Sequence, residues 1–269
     1  MEKPFFKKVS PKGFSRKFPS VVYKTMDTIL PGERIIFPLD LPDLAEAVKY
    51  VGLLKDHVGV FKVGLELFVA AGPASVAAVK EKAPGCKTFL DMKFHDIPAT
   101  VKGAIKSAST LGADFITVHC DEGSALLEAV VEGSSGKTKV LGVTVLTSLS
   151  QDDLSEIGID EKYKDPVELV LHRARLARVA GCAGVVCSGL EARAVREEFG
   201  GDFLIVTPGV RPKGEAKGDQ KRVVTPYEAI KSGADYIVVG RPIREAPDPV
   251  KAASGIAEEI ERALKDRRE

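Results

Sequence analysis

The amino-acid sequence predicts an α/β fold, a single (β/α)₈ barrel, and three observations carry that expectation. From residue 34 onward, short apolar runs rich in β-branched residues alternate with longer helical patterns. There are eight such runs: Arg34–Leu41, Val58–Gly64, Lys87–Lys93, Phe115–Cys120, Val140–Leu146, Gly184–Ser188, Leu204–Val210 and Tyr236–Arg241. The runs are continuously apolar rather than alternating, the pattern of parallel strands covered by helices. The length of 269 residues suits one barrel of about 250 residues. Strand–helix alternation of this regularity demands parallel crossovers; an open doubly wound sheet is the other way to arrange the same units.

The helices carry their own start and stop signals. After the first run, Asp43 stands three residues before Glu46, the spacing of a capping box, and Leu44, Ala47, Val48, Val51 and Leu54 form one apolar stripe. Before the eighth run, Thr225-Pro226-Tyr227-Glu228 reads as N-cap, proline at the first helical position and acid at the third. Gly112-Ala113-Asp114, Gly181-Cys182-Ala183-Gly184 and Gly233-Ala234-Asp235 each place a glycine where a helix stops and a strand follows. Such near-copies suggest βα units repeated around a barrel. The barrel domain is expected over 31–269.

Residues 1–30 differ. Within residues 1–24, seven basic side chains (Lys3, Lys7, Lys8, Lys12, Arg16, Lys17 and Lys24) stand against one acid, Glu2. The simplest reading is a solvated basic extension on the barrel. The whole chain has a net charge of +1, so no global field favours nucleic acid or an anionic membrane. No apolar run is long enough to span a bilayer, and the basic N-terminus lacks the apolar core of a secretory signal. The four cysteines, Cys86, Cys120, Cys182 and Cys187, form no CxxC pair. They read as reduced thiols of a cytoplasmic protein, not as a disulfide framework or zinc site.

In such barrels the chemistry sits at the C-terminal strand ends. The polar residues expected there are Asp40, Lys62, Asp91, Lys93, Asp96, His119, Thr147, Ser188, Arg211 and Arg241. Asp91 and Lys93 are two apart on one strand and so share a face. Alone they fit a structural ion pair equally well. With Asp40, Lys62 and Asp96 at neighbouring strand ends they make three acids and two lysines, and charges gathered at one barrel mouth point to function. Gly240-Arg241 follows the eighth run, where these barrels commonly bind phosphate. Glycine lets backbone N–H groups approach the oxygens, and arginine grips a dianion bidentately. The segment Thr207–Thr225 is rich in Gly, Pro, Lys and Arg and long enough to serve as a lid. His57 and His172 fall on helical patterns and read as structural, and His95 as positional. No nucleophile elbow, Walker loop, dinucleotide fingerprint or zinc spacing occurs.

The run Asp91-Met92-Lys93-Phe94-His95-Asp96-Ile97-Pro98-Ala99-Thr100 resembles the D-x-K-x-x-D-I-P-x-T signature of the orotidine 5'-monophosphate decarboxylase family. Leu39-Asp40, Phe61-Lys62-Val63-Gly64, Leu146-Thr147-Ser148, Thr207-Pro208-Gly209-Val210-Arg211-Pro212, Gln220 and Val239-Gly240-Arg241-Pro242 join it in order, so the likeness spans about residues 34–262. The resemblance implies a homodimeric enzyme acting on a nucleotide, orotidine 5'-monophosphate, with no cofactor. It implies that Lys93 is the proton donor within a charge network with Lys62, Asp91 and Asp96, the last acting in the neighbouring subunit's site. It implies further that Asp40 binds base or ribose, that Thr100, Thr147 and Gln220 contact substrate, and that Arg211, Gly240 and Arg241 line the phosphate end. Hexulose-phosphate synthases and keto-gulonate-phosphate decarboxylases resemble the chain at D-x-K-x-x-D, but they use magnesium and carry an acid in place of Lys62. A barrel that only senses nucleotide phosphate would keep Gly240-Arg241 and lose part of the charge network.

Overall fold

A computed structural model describes residues 29–134, 136, 138–213 and 222–267. Eight parallel strands close into a barrel in sequence order, β1 pairing with β8. They are β1 (Ile35–Pro38), β2 (Val60–Gly64), β3 (Lys87–Phe94), β4 (Phe115–His119), β5 (Lys139–Val143), β6 (Gly184–Val186), β7 (Leu204–Thr207) and β8 (Tyr236–Val238). The helices are α1 (Leu44–Leu54), α2 (Leu65–Ala71), α3 (Pro73–Lys82), α4 (Pro98–Thr110), α5 (Ser124–Gly133), α6 (Gln151–Glu156), α7 (Pro166–Ala180), α8 (Ala192–Phe199), α9 (Pro226–Lys231), α10 (Arg241–Arg244) and α11 (Pro249–Asp266). The expected (β/α)₈ class is therefore the observed one. No described helix is long and apolar enough to cross a membrane.

The local signals act as the sequence suggests. Thr225 and Glu228 form a complete capping box with Pro226 in the first turn of α9, and Asp43 supplies the N-cap half of its box by accepting the Glu46 N–H at 2.7 Å. Gly181 ends α7 in the left-handed conformation at φ 89°. Several strands are shorter than the apolar runs. Leu39, Val145, Val210 and Val239 lie beyond the ladders yet are buried. Apolarity reports burial, and the buried segments continue past the ends of the strands, where Leu39 and Val239 still donate to Lys62 O and Ile36 O. His57 also departs from its helical pattern, lying in a turn after α1 where its N–H bonds Leu54 O. All four cysteines are free thiols.

Two apolar clusters result from the two-residue period of the strands. Outward side chains such as Ile35, Phe37, Phe61, Val63, Leu90, Ile116 and Val118 pack beneath the helices. Inward side chains Ile36, Val60, Phe89, Phe115, Leu141, Leu204, Val206 and Tyr236 fill the barrel. Edge-on contacts between Phe89 and Phe115, and between Phe115 and Tyr236, knit this interior layer. Ile29 packs against it as well. Residues 1–28, most of the expected basic extension, lie outside the described residues.

Candidate active site

One step of two residues up β2, β3 and β4 changes the interior from apolar to polar or charged. Above Val60 comes Lys62, above Phe89 comes Asp91, and above Phe115 comes Thr117. The charged layer thus rests on a dry aromatic and aliphatic floor. Lys93 Nζ lies 2.8 Å from Asp91 Oδ2, Lys62 Nζ lies 3.5 Å from the same oxygen, and Lys62 Nζ lies 3.0 Å from Asp40 Oδ1. The result is an alternating chain Asp40–Lys62–Asp91–Lys93. Gly64 is needed for it: a Cβ there would stand 2.7 Å from Lys62 Nζ and 3.0 Å from Asp40 Oδ1.

The electrostatics follow from burial working against pairing. Burial alone would push the Asp91 carboxyl up, but Lys62, Lys93 and hydrogen bonds from Lys93 and Thr117 outweigh it and hold the group below its ordinary 3.8. Burial alone would pull Lys62 down, but Asp91 and Asp40 raise it above its ordinary 10.5. Asp91 is therefore ionised and Lys62 protonated across the neutral range. Breaking either pair would strand a buried charge, so the members are mutually dependent.

Asp40 and Lys62 also belong to a cavity of about 530 Å³ that opens between the ends of β1, β2, β7 and β8. Its lining includes Glu66, Pro208, Gly209, Arg211, Gly240, Arg241 and Arg244. Three arginines, Arg211, Arg241 and Arg244, are among its lining, a setting for a multiply charged anion. Gly240 is required by space, since a Cβ would meet Pro38 Cγ at 2.9 Å. Arg244 and Glu66 were not singled out from the sequence. Arg244 Nη1 donates to Asp40 O at 2.7 Å and so ties α10 to the β1–α1 connection. Thr147 is buried in the segment after β5.

The structure does not gather every expected residue. Asp96 and Thr100 are exposed, and Asp96 accepts the N–H of its neighbour Ile97 at 2.6 Å. Within the described residues of one chain it makes no ion pair with Lys62 or Lys93, so the five-charge network read from strand ends is a four-charge array. The physical reason is that Asp96 follows the end of β3, where the chain turns outward toward α4. Gln220, and 214–221 of the expected lid, lie outside the described residues. His95 is exposed and meets Glu122 at 2.7 Å, and His119 is partly buried beside it, the rings 5.2 Å apart. Among the described residues no group of three or more His, Cys, Asp or Glu is placed to hold a metal ion.

A closed parallel barrel with an alternating array of ammonium and carboxylate groups beside an arginine-lined cavity defines a (β/α)₈ enzyme frame of the phosphate-binding kind. The model of the orotidine 5'-phosphate decarboxylase / HUMPS family matches residues 33–256, and the chain belongs to that family. It is similar to the orotidine 5'-phosphate decarboxylase of Desulfosudis oleivorans, 49% identical over 245 residues, covering 90% of this chain and 98% of that one. It is 50% identical over 238 residues to that of Moorella thermoacetica, covering 85% and 92%. Among solved structures, the orotidine 5'-phosphate decarboxylase from Lactobacillus acidophilus superposes with a TM-score of 0.73 at 37% identity, covering 85% of this chain and 99% of that one.

Proposed function

We propose that the chain converts orotidine 5'-monophosphate to uridine 5'-monophosphate and CO₂, the last step in making that pyrimidine nucleotide, and that the four-charge array performs the chemistry. Family membership and relatives near half identity, named for this activity, support the reaction. The observation that carries the mechanism is Lys93 held 2.8 Å from Asp91 at the floor of the mouth.

Departure of CO₂ from C6 leaves an electron pair on a ring carbon with no adjacent carbonyl to spread it. The site must stabilise that charge electrostatically, with groups already in place. Lys93 is the ammonium that faces the developing carbanion and then gives C6 its proton. Asp91 orients Lys93 and repels the substrate carboxylate, a repulsion that ends when CO₂ leaves. Lys62 balances Asp91, and Asp40 meets the base or ribose. Arg211, Gly240 and Arg241 hold the phosphate, whose binding energy is available to assist the chemical step, and Gln220 contacts the substrate. Thr147 contacts the pyrimidine.

The reading includes a cytoplasmic homodimer in which Asp96 and Thr100 serve the partner's site. Their exposure supports it, as do Leu65, Val69 and Ile97, apolar side chains left in solvent on the adjacent β2–α2 and β3–α4 units. It includes no metal. The three carboxylates Asp40, Asp91 and Asp96 are the kind that hold magnesium, but Lys62 and Lys93 put two positive charges among them. The test is the loss of orotidine-phosphate absorbance with purified protein in excess EDTA. Stoichiometric uridine monophosphate is expected. Turnover that needs added magnesium, or that acts on sugar phosphates instead, would move the chain to the magnesium-dependent branch of the family.

A further inference from the structure

Thr117 is the inward residue of β4 directly above Phe115, and it is wholly buried. A threonine hydroxyl has one proton to give and lone pairs to accept with, and here both are used. It donates to Asp91 Oδ1 at 2.9 Å and accepts the backbone N–H of Lys93 at 2.9 Å. These two bonds fall where the sheet is irregular. The pairing of β3 with β4 shifts register between Leu90 and Phe94, and Lys93 has φ 49°, the one non-glycine positive φ among the described residues. A lysine in the left-handed region persists only where its surroundings hold it. At this break in the ladder the Thr117 side chain takes the Lys93 N–H in place of a β4 carbonyl.

We infer that Thr117 is a positioning residue for decarboxylation: one hydroxyl fixes both the carboxylate that Lys93 faces and the backbone from which Lys93 rises. The inference rests on the decarboxylase reading. Asp91 Oδ2 is taken by Lys93 and Lys62, and Oδ1 is taken by Thr117. With the Oδ1 bond removed, the carboxylate is held through Oδ2 alone, by the side chains it should itself orient, and Lys93 loses its backbone anchor in the same step. Electrostatic stabilisation of a carbanion depends on charges that need no reorganisation, so this loosening acts on the transition state. Nucleotide binding draws on the arginines of the cavity, and Thr117 is not among the residues that line it.

The experiment compares wild-type protein with Thr117→Val and Thr117→Ser. Valine keeps the shape and loses both hydrogen bonds; serine keeps the hydroxyl. Each protein is assayed on orotidine 5'-monophosphate and titrated with uridine 5'-monophosphate, at a temperature where circular dichroism shows it folded. The valine variant should lose about 10- to 100-fold in kcat, the scale of a hydrogen bond to a charged group, with nucleotide affinity changed by less than about threefold. The serine variant should recover most of the rate. Should the valine variant fail to fold, Thr117→Ala removes the same hydroxyl without adding bulk and should show the same split. A hydroxyl-free variant with kcat within about threefold of wild type overturns the inference. So does a serine variant as slow as valine, or a nucleotide affinity that falls in step with kcat. A wild-type protein that releases no CO₂ overturns the decarboxylase reading itself, a result in which the variants play no part.

Discussion

Arg241 has a simple task in this account, and its removal gives a sharp expectation. It lines the cavity with Arg211 and Arg244, as do Asp40 and Lys62 of the charge array. Arg241→Ala should lower kcat/KM for the nucleotide steeply, because a bidentate contact to the dianion is lost. Added phosphite or guanidinium should restore part of the rate, and an unchanged kcat/KM would mean that phosphate binds elsewhere. At this scale much of the site was legible. Asp91 and Lys93 are recognisable because a two-residue spacing keeps them on one face, and Lys62 because a lysine interrupts an apolar run. Thr117 was not, although Phe115-Ile116-Thr117 places it on the inward face by the same rule; a threonine in a strand excites no suspicion unless the residues it faces are known. Arg244 was missed because its role arises from folding a four-residue helix back onto the Asp40 carbonyl.

Strands set the height of each charge, and the connections hold the mouth in shape. The ion pair of Arg222 with Glu191 is the clearest case. Arg222 lies at the end of the β7–α9 connection and meets Glu191 Oε1 at 2.6 Å, while its Nη2 donates to Val145 O and Leu146 O at 3.3 and 3.1 Å. Both side chains are nearly inaccessible, and burial raises the Glu191 carboxyl even though Arg222 opposes the rise. One side chain thus pins the β7–α9 connection to the backbone just before Thr147. Arg222→Ala should destabilise the fold by about 3–5 kcal/mol, the cost of stranding one member of a buried pair. Denaturant unfolding would read it, and Glu191→Leu in the same chain should recover part. A loss under about 1 kcal/mol would mean that the pair is solvated. Element order and type were readable from apolar periodicity and caps. Element ends were not, because the buried chain runs on past the strand ladders at Leu39, Val145, Val210 and Val239.

For the molecule as a whole, the described chain brings four charges together and leaves a fifth outside. Asp96 sits on the exposed turn beside Ile97, which is 66% exposed. A two-fold partner docked on this side would bring Asp96 and Thr100 to its site and bury the apolar residues around them. Lys93→Ala and Asp96→Ala chains, each inactive, should then complement when mixed and allowed to exchange subunits. Random pairing makes about half the dimers mixed, and each mixed dimer has one site with both lesions and one with neither, so about a quarter of all sites should work. Exchange without any return of activity would confine the site to one chain.

The central claim is that a lysine fixed by its neighbours stabilises and protonates the carbanion. It is tested most directly by CO₂ release from orotidine 5'-monophosphate, wild type against Lys93→Ala, in excess EDTA, with uridine monophosphate binding followed in parallel. General acid catalysis alone is worth about 10²–10⁴, and Lys93 also stabilises the developing charge. The account predicts a loss beyond that range while nucleotide binding stays measurable. A Lys93→Ala rate within about tenfold of wild type would contradict it.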